Sequence, residues 1–371
     1  MTKKKRNTPM PTEIAPEFYA RLVEIYGEEV CKEIEQTLIR RSTTFRVNTI
    51  KAKQEEVEKE LKQGGFDIEP VSWIPGAFIL RNKTKRDLID HQLYTDGKIY
   101  VQSIASMVPP LILDPQPGEK VLDLTAAPGS KTSQMAAMMN MTGELVANDS
   151  ARIRFYKLQH NMEHLGVINS SHNYVEHNLP PSSRAKRSVV ERSRDFSTSY
   201  QSVEMTSIFN KEKEENYLHF SLRMEHGALL CREYPAYFDK VLLDAPCGGE
   251  ARFTLDNPKS FAYWKERKIK EMAFKQRKLI FSAFSALKPG GTLVYSTCTF
   301  APEENEMQIS RLLERLDGEV EVLPINFVGP ERLPAVTKWR GKELHSLVAN
   351  TLRIKPTTDI EGFFVAKLRK K

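Results

Sequence analysis

A chain of 371 residues with 40% apolar and 28% charged residues can bury a core and is long enough for one large domain and a smaller one. No apolar run reaches the roughly 20 residues of a membrane span, the basic start lacks the apolar region of a secretory signal, and the cysteines (Cys31, Cys231, Cys247, Cys298) have no CxxC spacing. A membrane role, a metal site and a disulfide framework are therefore not expected, and the chain reads as a reduced, cytoplasmic one, with a net charge of +7 that points to a polyanionic partner.

In chain order, "PEFYARLVEIYGEEVCKEIEQTLI" has helical spacing and predicts two short helices around Gly27. "TTFRVNTI" alternates like a half-buried strand, "QEEVEKELKQGGF" is an amphipathic helix stopped by Gly64 and Gly65, and "PVSWIPGAFILR" is strand material broken at Pro75 and Gly76. Residues 1–100 are thus expected to form a small α+β module. From 101 to 371 strands alternate with helices: "KVLDL", "GELVAND", "FDKVLLD" and "TLVYSTC" are strands, the last preceded by a "KPGG" turn. "SARIRFYKLQHNMEHLG" and "YWKERKIKEMAFKQRKLIFSAFSAL" are helices. The fold class expected is α/β, a doubly wound and mostly parallel sheet that binds ligands beyond the carboxyl ends of its strands. Cys247 and Cys298 both fall at such ends. Residues 178–216, rich in Ser and charge, read as an inserted surface loop.

After "KVLDL", the turn "TAAPGSKT" offers small residues for close backbone approach and free amides at a helix start. It is neither GxGxxG nor a Walker sequence. Asp149 ends the next strand, 26 residues after Asp123, where a carboxylate can accept from ribose hydroxyls; capping the following helix is the plainer role.

"VLDLTAAPGSKT", "ANDSARIR", "FDKVLLDAPC" and "KPGGTLVYSTCTFAPEENE", with "FRVNTIK", "IYVQSIAS" and "GFFVAKLRKK", resemble the Nol1/Nop/Sun (RsmB/RsmF-like) family of S-adenosylmethionine-dependent RNA (cytosine-5) methyltransferases. The resemblance implies a Rossmann-like class I methyltransferase and a reason for two cysteines. Carbon 5 of cytosine is a poor nucleophile, and a thiolate added at carbon 6 makes it reactive. By resemblance Cys298 is that nucleophile and Cys247 serves product release, while two packed apolar thiols would be the plain alternative. Cys31 and Cys231 read as such packed thiols.

The same resemblance assigns Thr125, Ala126, Ala127, Pro128, Gly129, Ser130 and Lys131 to the cofactor loop, with Lys131 also near the reaction centre. It gives Asp149 the ribose, places Arg154 one turn beyond it, and sets Asp244 between the methionine part of the cofactor and the target base. Thr125, Ser130 and Gly248 stand where the family commonly has cysteine, glycine and serine. The usual Asp-Gly pair for adenine is missing: an ungapped register puts Glu176 there, another puts Glu225 or His226. The partners implied are S-adenosylmethionine and RNA, ribosomal rather than transfer RNA, for a monomer without metal or membrane, its N-terminal module helping to hold RNA. Arg184, Lys186, Arg187, Arg192 and Arg194 are candidate phosphate contacts, a solvated linker being the alternative. Two other classes stay open: a methyltransferase of this fold acting on DNA, protein or an exocyclic nitrogen, and a non-catalytic RNA-binding or assembly protein.

Overall fold

The computed structural model describes residues 12–168, 174–177 and 217–371; the 178–216 insertion and the basic residues at 3–6 lie outside them. Helices α1 (Pro16–Tyr26) and α2 (Glu28–Gln36) meet at Gly27, whose φ of 85° makes the corner. Their buried Phe18, Leu22 and Ile34 pack with Phe253, Phe261 and Phe300, so this pair docks on the later part of the chain.

Strand β1 (Thr44–Val47), α3 (Gln54–Gln63), β2 (Ile68–Pro70), β3 (Ala77–Leu80), α4 (Lys85–Ile89), α5 (Gln92–Thr95) and β4 (Ile99–Val101) follow. The four strands form an antiparallel sheet in the order β2-β3-β1-β4 around Phe45, Val57, Leu61 and Phe78. β1 is buried along its whole length and not on one face only. The reason is Arg46, which reaches the later part of the chain and donates to Gln102 Oε1 (2.9 Å) and Ser133 Oγ (2.6 Å).

Helix α6 (Ile104–Leu113) leads into β5 (Lys120–Asp123), α7 (Ser130–Met138), β6 (Gly143–Asn148), α8 (Arg152–His164), β7 (Tyr174–His177), β8 (Leu218–Arg223) and α9 (Gly227–Glu233). Then come β9 (Phe238–Asp244), α10 (Glu266–Ala286), β10 (Leu287–Thr297), α11 (Glu306–Arg315), β11 (Val320–Leu323), β12 (Arg332–Leu333), β13 (Lys338–Trp339), β14 (Lys342–Glu343), β15 (Leu352–Ile354) and β16 (Phe363–Lys370). The expected Rossmann-like sheet is present, ordered β12-β15-β16-β10-β9-β5-β6-β8-β7 with β11 also on β16. Pairings from β10 to β7 are parallel and those of β16 antiparallel. Chain order reverses between β5 and β9, the switch point where such sheets bind ligands at the carboxyl edge.

Two expectations are corrected here. The "KPGG" turn is part of β10, whose pairing with β9 shifts register between Leu287 and Thr292. And the ungapped register does not hold: β8 lies beside β6, while β7, with Glu176 opposite Leu222, is the edge strand beyond it. A strand inserted at the edge leaves "LHFSLR" to take the inner place, where apolar Leu218, Phe220 and Leu222 face the core. Among the described residues no helix is long and apolar enough to cross a membrane.

Candidate active site

The parallel register of β9 and β10 decides where the cysteines go. Asp244 pairs with Ser296, so Cys247 and Cys298 leave neighbouring strand ends together, and their sulfurs lie 3.3 Å apart. Both are free thiols. The loop from β5 to α7 faces them. Gly129 holds it in a left-handed conformation, φ 102°, so close to α8 that a Cβ would meet Met162 Cε at 2.5 Å. Lys131, buried in the first turn of α7, donates to Ser106 Oγ and to Asp244 Oδ2, both at 2.7 Å. Ser296 Oγ donates to the other Asp244 oxygen (2.8 Å), and Thr125 Oγ1 to its carbonyl (2.8 Å). A lysine, a carboxylate and two thiols therefore share one cavity of about 580 Å³. Beneath it Asp123 accepts from Thr132 Oγ1, and burial pushes its carboxyl up to about 7.

The two sulfurs are not equivalent. The hydrogen bond with Cys247 holds the Cys298 thiol below its ordinary value; burial opposes this and the nearby Arg252 guanidinium adds to it. Cys247 moves the other way, raised first by that same hydrogen bond and then by burial, with Glu304 adding its charge. The thiolate is thus favoured on Cys298, with Cys247 as its donor. Glu304 is fully buried, and its Oε2 accepts from Gly248 N (3.0 Å) and Gln276 Nε2 (2.7 Å). Gln276 also donates to Pro246 O (2.9 Å), so the pair clamps the chain on both sides of Cys247. Burial, then the charge of Glu250, pushes the Glu304 carboxyl up to about 8.

A second cavity of about 370 Å³ adjoins the first, sharing Thr125, Arg154 and Pro246. Asn148 ties its walls, donating to Leu124 O (3.0 Å) and Glu225 O (3.1 Å). Asp149 is buried and its Oδ1 accepts from Ala151 N (3.0 Å), an Asx turn leading into α8, whose N-cap is Ala151. Its Oδ2 is 3.2 Å from Arg154 Nη2, but that nitrogen donates to Ala127 O (2.6 Å), leaving Oδ2 without a hydrogen bond. A buried carboxylate oxygen held without a donor costs free energy unless a ligand supplies one.

The structure gathers Thr125, Ala126, Ala127, Pro128, Ser130, Lys131, Arg154, Asp244, Cys247 and Cys298 around the larger cavity, with Asp149 in the adjoining one. Gly129 shapes the loop from behind. Glu176 is on the edge strand, opposite Leu222; Glu225 turns its carboxylate to Arg223 (3.3 Å), and His226 lines the cavity of Asp149. Arg252, Glu304, Gln276 and Ser106 escaped the sequence reading. One signal existed for Gln276: it interrupts the buried stripe Ile269, Ala273, Ile280, Ala283 of α10 with an amide. Among the described residues no group of three His, Cys, Asp or Glu is placed to hold a metal.

Residues 110–187 and 218–369 match the family described as 16S rRNA methyltransferase RsmB/F, and residues 14–104 match the N-terminal domain of 16S rRNA methyltransferase RsmF. The tRNA (cytosine(49)-C(5))-methyltransferase of Pyrococcus abyssi is 34% identical over 333 residues, 88% of each chain. The ribosomal RNA small subunit methyltransferase F of Cronobacter sakazakii is 33% identical over 340 residues, 90% of this chain and 58% of that protein. The chain thus spans under two thirds of the length of the F enzymes it matches. A crystal structure of a methyltransferase homologue from Pyrococcus horikoshii superposes with a TM-score of 0.73 at 29% identity, covering 97% of this chain and 96% of that one.

Proposed function

The chain belongs to the RsmB/F methyltransferase family, and from that membership we propose that it methylates carbon 5 of a cytosine in RNA through a covalent bond from Cys298 to carbon 6. The observation that carries the reading is the pair of free thiols 3.3 Å apart beside Lys131 and Asp244.

S-adenosylmethionine, the methyl source of the family, fits the residues present: Asp149 Oδ2 lacks a donor that a ribose hydroxyl would supply, and the small residues Thr125, Ala126, Ala127, Pro128 and Ser130 line the adjoining cavity. Bound there, it supplies an electrophilic methyl group. Lys131 and Asp244 order that side of the cavity, and Asp244 is placed to accept from the exocyclic amine of a flipped cytosine, which uracil lacks. The Cys298 thiolate adds to carbon 6, leaving carbon 5 electron-rich. Once carbon 5 carries the methyl group, a base removes its proton, the carbon–sulfur bond breaks, and Cys298 leaves as thiolate. Cys247 is the neighbouring group assigned to that release.

Residues 1–100 are assigned to holding RNA and residues 101–371 to catalysis. Ribosomal RNA is the proposed substrate, supported by the match of both segments to ribosomal enzymes. Transfer RNA is the second reading, favoured because the relative matched along 88% of its own length is a tRNA enzyme. Incubating Cys247→Ala with ribosomal or transfer RNA and cofactor, followed by a denaturing gel, tests all of this. A slow-migrating adduct on one RNA, absent when Cys298 is also replaced, is expected; methyl transfer without any adduct would remove Cys247 from the release step, and methyl transfer by Cys298→Ala would rule out the covalent route.

A further inference from the structure

Behind Cys247, away from Lys131, a smaller cleft of about 190 Å³ opens between the Cys247–Gly248 turn and the start of α10. Its floor is apolar, with Phe253, Ile269 and Met272, and its rim carries Lys259, Lys265 and Lys268. All three lysines are exposed, and among the described residues none of them forms an ion pair and no carboxylate lines the cleft. Tyr263 stands at the mouth, 71% exposed, with Lys268 Nζ 5.3 Å from its ring centre. The segment is rigidly seated: Trp264 donates to Glu250 Oε1 (2.8 Å) and packs edge-on against Phe18.

An exposed aromatic ring, an apolar floor that admits one flat group and a rim of unpaired cations match a nucleotide, whose base stacks while its phosphates meet ammonium groups. Because Cys247 lines both this cleft and the larger cavity, a strand whose cytosine is flipped towards Cys298 passes its neighbour over the cleft. We propose that the cleft is a subsite for the RNA nucleotide adjoining the target cytosine, its base on Tyr263 and its phosphates on Lys259, Lys265 and Lys268. The assignment rests on the reading of the cysteine pair given above.

Binding of a fluorescent single-stranded oligocytidylate by the full chain, measured against salt, tests the proposal. For Lys259→Ala/Lys265→Ala/Lys268→Ala the slope of log affinity against log salt falls by about 1.4, as expected when the two phosphates flanking one nucleotide of a single strand lose their cations. Tyr263→Ala weakens binding roughly tenfold and Tyr263→Phe restores it, because the ring and not the hydroxyl stacks. Affinity for S-adenosylhomocysteine and the melting temperature stay at wild-type values throughout. Variants that keep the wild-type slope and affinity overturn the subsite and leave the cleft to a protein partner or to solvent. A Cys247→Ala chain that binds RNA with the wild-type slope yet forms no adduct overturns the cysteine reading instead, so the two failures are told apart.

Discussion

Glu304→Gln isolates the charge of a buried carboxyl from its shape. Glu304 Oε2 accepts from Gly248 N and Gln276 Nε2, while Oε1 is buried without a partner. A glutamine can place its carbonyl oxygen at the first position and its amide at the second, so the clamp around Cys247 survives. What changes is titration. The folded pKa stands at about 8 against an ordinary 4.5, raised by burial. Between these values the folded chain holds a proton that the unfolded chain has released, so stability falls as pH rises through the window and is intact below it. The slope is at most about 1.4 kcal/mol per pH unit, and the window sets an upper bound on the order of 5 kcal/mol. Asp123, raised to about 7, adds a slope of the same sign to both proteins, which cancels in the difference. Urea unfolding of both proteins from about pH 5 to about pH 9 is the assay. The stability of Glu304→Gln relative to wild type should rise by several kcal/mol up to about pH 8 and then level off. Parallel curves would show that Glu304 ionises normally in the fold and bears on Cys247 as a full charge at neutral pH, which would overturn the reasoning from burial.

Asp149→Ala should weaken S-adenosylhomocysteine binding by calorimetry roughly 10- to 100-fold, the worth of hydrogen bonds to one charged group, with the melting temperature lowered by a few degrees at most for the lost bond from Ala151 N. Gly129→Ala puts a methyl group within 2.9 Å of Leu158 Cδ1 and 2.5 Å of Met162 Cε at φ 102°, and about 2–4 kcal/mol of stability should be lost in urea unfolding. Arg252→Ala removes the cation that favours the Cys298 thiolate, so the pH profile of iodoacetamide alkylation should move to higher pH.

The parallel core of the fold was legible because β5, β6, β9 and β10 are short apolar runs separated by helices of clear period, and the pairing of β9 with β10 then brings both cysteines to one edge. The burial of β1 was not legible: Arg46 reads as a solvent-facing residue until Gln102 and Ser133 arrive from elsewhere in the chain. β8 was ambiguous for a similar reason, since its His219 and Ser221 alternate with apolar residues as an edge strand's would, whereas a further strand covers it. Lys131, Asp149 and Asp244 lie in motifs with fixed positions on a strand or helix end. Glu304 and Gln276 owe their place to long-range packing of α10 against the Cys247 turn, which leaves no local signature beyond one amide in an apolar stripe. Arg252 follows Cys247 by five residues, yet its bearing on Cys298 depends on the turn that carries it back over the cavity.

The central chemical claim is most directly tested by methyl transfer to RNA carrying tritium at carbon 5 of cytosine. Attack from Cys298 and methylation at carbon 5 require one tritium released to water for every methyl group incorporated, and neither event in Cys298→Ala. Methyl incorporation with tritium retained would place the methyl group on another atom and contradict the mechanism.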